Sequence, residues 1–218
     1  MAASGACSAS STHAAHRRAD RLCGDRSGCE VLVRGFPGRA REAGVLRRIA
    51  PGVARVALLF NPTTSVPIKF YMASIQAAAS SFTVQASTAP VHAQDEIEGV
   101  IAALAGNPGA GLIVMPDLFN TINRDLIIAV AARFRVPAIY FFRSFADSGG
   151  LISYGPDFAE QYPRAADYID RILKGEKPGD LPIQMPIKVP LIINLRTANA
   201  LGLDVPLGLL NAADEIIE

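Results

Sequence analysis

Two rhythms of apolar positions alternate along this chain: short, nearly unbroken runs, and residues spaced three to four apart. Ala54–Phe60 carries the first kind of run and reads as a buried parallel strand. In Pro67–Ser80, Ile68, Tyr71, Ile75 and Ala78 fall on one helical face. Phe82–Thr88 alternates and predicts a half-buried strand near a sheet edge. Asp95–Ala105 predicts a helix with Ile97, Ile101 and Leu104 inward and acidic residues in its first turn, where the helix dipole favours them. Gly111–Met115 is a third strand, and Thr121–Phe134 a third helix, with Thr121 as cap and Leu126, Val130 and Phe134 inward. Pro137–Phe141 and Leu151–Tyr154 are further strands. Asp157–Lys174 is the clearest helix: Asp157 caps it, Glu160 follows three residues on, and Phe158, Tyr162, Ala165, Ile169 and Ile172 form its stripe. Gly175 is the expected residue just past its end. Val189–Asn194 and a helix from Leu195 close the chain. Strand–helix alternation of this length predicts an α/β fold, a doubly wound parallel sheet with helices on both faces.

The beginning does not share these rhythms. Residues 1–30 are rich in Ala, Ser, Arg, Gly and Cys and show neither period. They read as disordered, or as the product of a wrong start site or a shifted frame. Residues 41–50 predict a short helix ended by Pro51-Gly52, its arginines a solvated face. Cys7, Cys23 and Cys29 all fall in the first thirty residues with His13 and His16, but no C-x2-C pair is present, so no compact zinc pattern is formed. The start has no apolar stretch of the kind a secretory signal needs, so the chain as written carries no export address.

Half of the 218 residues are hydrophobic and 19% are charged, enough apolar material for a core. The net charge of +1 lacks the basic excess of a nucleic-acid binder, and no nucleic-acid partner is expected. No apolar run approaches the roughly 20 residues that span a bilayer.

In such sheets ligands bind beyond the carboxyl ends of the strands. That rule selects Asn61-Pro-Thr63-Thr64-Ser65, Pro116-Asp117-Leu-Phe119-Asn120, Phe142-Arg-Ser144 and Gly155-Pro-Asp157. Polar groups and rings alternate there, as a small-molecule pocket requires. Each has a plainer reading. Asn61-Pro62 starts a turn, Asp117 and Asn120 cap the helix near Thr121, Phe141 and Phe142 are core, and Arg143 is a surface charge. A zwitterionic or amide-bearing ligand would suit these groups: Asp117 for an ammonium, and the free N–H groups of the helix after Ser65 for a carboxylate. No catalytic signature stands beside them. The regular body has one histidine, His92, and no Gly-x-Ser-x-Gly, Walker A, G-x-G-x-x-G, His-Glu-x-x-His or Cys-x-x-Cys sequence, so neither an enzyme nor a cofactor site is expected.

Several segments together resemble the substrate-binding proteins of ABC uptake systems that have a periplasmic, type I two-lobe fold, relatives of which bind tryptophan-like or other amino acids. They are Ile49-Ala-Pro-Gly-Val-Ala-Arg-Val-Ala-Leu-Leu-Phe-Asn-Pro62, Gly111-Leu-Ile-Val-Met-Pro-Asp117, Arg124-Asp-Leu-Ile-Ile128 and Gly149-Gly-Leu-Ile-Ser-Tyr-Gly-Pro-Asp157. The likeness continues through Tyr168–Pro178, Asp180-Leu-Pro182, Ile192–Leu195, Thr197–Leu203 and the closing Ala213-Asp-Glu-Ile-Ile-Glu218. It implies an exported, periplasmic or cell-surface protein, a membrane permease as partner, and a ligand held between lobes. The ligand would be touched by the Asn61–Ser65 loop, the Asp117–Asn120 loop and the Ser153-Tyr154-Gly155 crossover.

Family members carry a signal and a first lobe of roughly a hundred residues ahead of the Ile-Ala-Pro-Gly segment; this sequence has its irregular start there. The expected organisation is therefore an irregular start over 1–44, a Rossmann-like ligand-binding lobe over 45–155, and a return segment over 156–218 that lacks partners and favours self-association. Two alternatives remain at this point, an intracellular ligand-sensing regulatory domain of the same ancestry and a flavodoxin-like enzyme.

Overall fold

The computed structural model describes residues 38–65, 72, 75, 76, 83–157, 159, 161–182 and 188–218. The cysteines, His13 and His16 lie outside the described residues, as does most of the expected Pro67–Ser80 helix. Of that helix Met72, Ile75 and Gln76 are described and helical, with Ile75 buried.

The first described helix, α1 (Gly38–Ile49), turns Ala43, Leu46 and Ile49 to one side, all fully buried. A turn at Pro51-Gly52 stops it and leads into β1 (Arg55–Phe60), whose last five residues are buried. That burial on both faces is the signature of a central parallel strand. β2 (Gln85–Pro90) begins later than the alternation predicts and buries Ala89 alone, as befits the sheet edge. Pro90, which lacks an N–H, is tolerated at the end of such a strand.

α2 (Glu96–Ala105) buries Ile97 and Ile101 and leads to β3 (Ala110–Val114). The connection runs through Gly109 at φ +75°, where a Cβ would lie 2.4 Å from the carbonyl oxygen of Gly52. No other residue fits that turn. The single helix expected over Thr121–Phe134 is two. α3 (Leu118–Ile122) starts earlier, with Asp117 as its cap, and α4 (Arg124–Arg133) follows a break at Asn123, whose φ and ψ of −92° and 17° leave the helical region. The side-chain amide of Asn123 donates to the Phe119 carbonyl (2.9 Å), competing locally with the helical pattern.

β4 (Ala138–Tyr140), α5 (Arg143–Asp147) and β5 (Ile152–Tyr154) come next, then α6 (Gln161–Leu173), β6 (Leu191–Asn194), α7 (Leu195–Leu201), α8 (Leu207–Leu210) and β7 (Glu215–Ile217). The strands form one sheet in the order β2-β1-β3-β4-β5-β6-β7. All neighbours are parallel except β5 and β6, which run antiparallel with Tyr154 opposite Leu191. The doubly wound parallel sheet is as expected, with one antiparallel pair where the chain returns into β6 at the same edge by which it leaves β5.

Period-two alternation divides the core between the faces. Val56, Leu58, Phe60, Ile113, Ile139, Ile152, Tyr154 and Ile193 pack against α1, Ala198 of α7 and Leu209 of α8. Ala57, Leu59, Leu112, Val114, Ala138 and Tyr140 pack against α2, α4 and Phe145 of α5, whose ring stacks on Tyr140 with centroids 4.9 Å apart. The doubly wound architecture follows directly. α6 stands apart from both cores. It buries none of its described residues, and Tyr162, Ile169, Ile172 and Leu173 remain 75%, 58%, 38% and 81% exposed. Its C-terminus is as expected: Gly175 takes φ +103° and its N–H reaches the Ile172 carbonyl at 3.0 Å.

At the end of β5 the chain passes under the β4 loop so closely that a Cβ on Gly155 would sit 2.1 Å from the Phe141 carbonyl oxygen. Gly155→Ala therefore forces two backbone segments apart and is expected to lower unfolding stability by about 2 kcal/mol or more, read as a drop in the urea midpoint.

Candidate functional site

Beyond the carboxyl ends of β1 and β3 sits a buried knot of polar groups. Asp117, 6% exposed, accepts the Asn120 N–H at Oδ1 (2.6 Å). At Oδ2 it accepts the Asn61 N–H (3.1 Å) and the Asn120 side-chain amide (3.1 Å). The same Asn120 amide also donates to the carbonyls of Leu59 (3.1 Å), one residue before the end of β1, and Met115 (2.9 Å), one residue past the end of β3. Asn61 completes the knot: its Oδ1 accepts the Thr63 N–H (2.8 Å) and its Nδ2 donates to the His92 carbonyl (3.2 Å). Burial pushes the Asp117 carboxyl above its ordinary value, against the backbone N–H donors of Asn120, Asn61 and Phe119 that pull it down.

These three side chains hold the loops in place; what the loops present outward is different. Thr63 and Thr64 are exposed, and so are Leu118 (64%) and Ile122 (74%) of α3. Thr121, expected as the helix cap, instead donates its hydroxyl back to the Asp117 carbonyl at 2.8 Å. Phe119 and Phe142 pack at the margin of the α2–α4 core, Phe142 edge-on to Phe141 with ring centroids 5.1 Å apart. Tyr154 belongs to the core on the opposite face. His92 lies in an exposed loop, its backbone N–H and its ring both directed at Glu96.

Of the expected contacts, Ser153 lines a described hollow, with Arg143, Gly155, Pro156 and Asp157 of the loops that follow β4 and β5. That hollow, of about 120 Å³, opens where β5 ends and β6 and β7 begin. Its rim is charged. Arg143 of α5 grips Glu215 of β7 through two hydrogen bonds, Nη1 to Oε2 at 2.5 Å and Nη2 to Oε1 at 2.7 Å, and its Nε lies 3.4 Å from Asp147. The plain reading of Arg143 as a solvated surface charge is replaced by a bidentate bridge between residues 72 apart in sequence. The bridge holds the Glu215 carboxyl below its ordinary range. Among the described residues no group of three or more His, Cys, Asp or Glu is arranged to hold a metal ion, and no helix is long and apolar enough to cross a membrane.

The family model for "ABC transporter substrate binding protein" matches residues 41–217. The chain belongs to that family. Among individual proteins, it is 22% identical over 159 residues to a tyrosine-binding protein of Clostridioides difficile (strain R20291), a match that takes in 73% of this chain and 46% of the relative. The ABC domain from Streptococcus pneumonia solved in complex with L-Trp is similar in fold, with a TM-score of 0.74 and 19% identity over 83% of this chain and 60% of that one. A conserved domain protein from Vibrio cholerae gives 0.73 at 21% identity over 82% and 60%. A LacI family transcriptional regulator from Bifidobacterium animalis subsp. lactis is more distant, at 0.54 and 14% over 70% and 59%. The chain thus spans about half to three-fifths of the length of these relatives. The resemblance read from the sequence holds, and the family is one of binding proteins.

Asp117→Ala leaves the N–H groups of Asn61 and Asn120 without their acceptor in a buried place. We expect it to cost about 3 kcal/mol of unfolding free energy, measured by urea denaturation. The Glu215 bridge carries a pH signature of known sign. A carboxyl whose pKa is lowered by folding stabilises above its unfolded value, 4.5 here, and loses that contribution as pH falls through the lowered folded value. Thermal scans of Glu215→Gln against the native chain should show a Tm deficit near neutral pH that shrinks as the buffer is taken below pH 4.5.

Proposed function

We propose that this chain supplies one side of a solute clamp that captures an amino-acid-like molecule and passes it, chemically unchanged, to a membrane permease. In this reading it works outside the cytoplasmic membrane, in the periplasm or at the cell surface. The observation that carries the proposal is the family match over residues 41–217, laid onto a sheet whose β1, β3, β4 and β5 all end at one edge. That edge is where open α/β sheets take their ligands. The relatives named for tyrosine and crystallised with L-Trp point to an amino acid.

Division of labour at the edge follows from the hydrogen bonds. Asn61, Asp117 and Asn120 position the loops, Thr63 and Thr64 offer hydroxyls to the solute, and Ser153, within β5, sits in the floor of the hollow at that strand's end. Residues 45–155 serve as the ligand-binding lobe, and residues 156–218 run out from it and back. The apolar stripe of α6 then serves as a contact surface for the other side of the clamp, or for a second copy when that side is missing. The likeness to LacI-type regulators supports a second reading, an intracellular sensor built on the same clamp.

Differential scanning fluorimetry with a panel of the common L-amino acids tests the proposal. A true ligand at a hundred times its Kd stabilises by about 2.7 kcal/mol, so at least one amino acid, with L-tyrosine and L-tryptophan the first to try, should raise Tm in a dose-dependent way. Mass spectrometry should recover it unaltered. A flat Tm across the panel, or a converted product, would defeat the reading.

A further inference from the structure

The charged hollow at the β5–β6–β7 corner has a chemistry of its own. Its floor is the cross-strand pair Ser153 and Ile192, each 2% exposed. Around them stand Arg143, Asp157, Lys188, Asp214 and Glu215. Arg143 is already satisfied by Glu215 and Asp147. Asp214 is held through Oδ2, which accepts the Leu191 N–H at 2.9 Å.

Three groups have capacity left. The Ser153 hydroxyl has no hydrogen-bond partner among the described residues, although its residue is almost wholly buried. Asp157 accepts the Ala159 N–H at Oδ1 (2.8 Å), which leaves Oδ2 open. The Lys188 ammonium stands 3.9 Å from Asp214, beyond hydrogen-bond reach. Three acids against two bases give this rim a net charge of −1, so an occupant should bring a cation. Lys188 is ion-paired to Asp214 without a hydrogen bond, and its ammonium donors offer a place for one anion beside it.

We propose that this hollow receives the head group of an α-amino acid, its ammonium hydrogen-bonded to Asp157 and the Ser153 hydroxyl and its carboxylate facing Lys188. The inference rests on the amino-acid reading above and relocates the ammonium contact from Asp117, whose oxygens are occupied within the fold. Size supports a head group alone. A volume of about 120 Å³ falls well short of the roughly 300 Å³ at which pockets for whole drug-sized ligands begin. The side chain of the bound molecule must therefore project out of the hollow, and selection among amino acids is made elsewhere.

The test is an NMR titration of the ¹⁵N-labelled chain with L-alanine, ethylamine and propionate, which respectively carry both charges, the ammonium alone and the carboxylate alone. L-alanine should shift the amide signals of Ser153, Asp157 and Lys188. Ethylamine should bind more weakly and propionate at least tenfold more weakly. Asp157→Asn should weaken L-alanine at least tenfold and the near-isosteric Ser153→Ala severalfold. Equal L-alanine affinity in the native chain and both variants, or shifts confined to the Asn61–Ser65 and Asp117–Asn120 loops, would overturn this assignment and leave the amino-acid reading standing. Absence of L-alanine binding also overturns it. If the panel of L-amino acids also leaves Tm unchanged, the broader reading fails with it.

Discussion

One carboxylate organises the working edge of this molecule. Asp117 gathers three donors from two loops, and through Asn120 the same knot holds the carbonyls of Leu59 and Met115, next to the ends of β1 and β3. Parallel strands end by releasing their chains into irregular loops, and buried polar backbone there needs partners. The knot provides them. Because it is nearly closed to solvent, the ionised form of Asp117 is disfavoured by burial and sustained by its donors. The loops owe their shape to that balance, and anything they present to a solute depends on it.

A second tie, at the far end of the edge, is of another kind. The Arg143–Glu215 bridge is half exposed and fastens the short strand β7 to α5. Exposed ion pairs contribute modestly to stability, but a bidentate guanidinium fixes direction as well as distance. It commits the Arg143 guanidinium to Glu215, with Lys188 and Ser153 standing beside it on the same hollow. Between the two ties lie the exposed Thr63 and Thr64 and the hollow at the end of β5.

Much of the architecture could be read from the order of residues. Val56–Phe60 and Gly111–Val114 are apolar on both faces, which only a central strand between two helical layers permits. Ile97 and Ile101 mark the inner face of α2 without ambiguity. The short elements α5, α8 and β7 span too little chain to show a period, and these three were not anticipated. The break at Asn123 depends on a side-chain amide bonding to its own helix, which the hydrophobic rhythm does not register. The antiparallel turn into β6 is a matter of topology that the pattern along one strand cannot carry. The candidate loops were placed correctly because strand ends were. What each side chain does there was less legible: Asp117 reads equally as a cap and as a ligand group, and in the fold its Oδ1 caps α3 while its Oδ2 ties Asn61 and the Asn120 side chain. The Arg143–Glu215 contact joins distant stretches and leaves no local trace.

The side-by-side exit and re-entry of the chain at β5 and β6 has a mechanical consequence. Tyr154 and Leu191 are cross-strand partners, so everything encoded between them is moored by two adjacent straps. A single strap allows twisting in any direction. Two straps, paired at their roots, resist torsion and permit bending mainly about the line that joins them. For α6, which lies between them, a swing about that line is the movement that such a paired root opposes least.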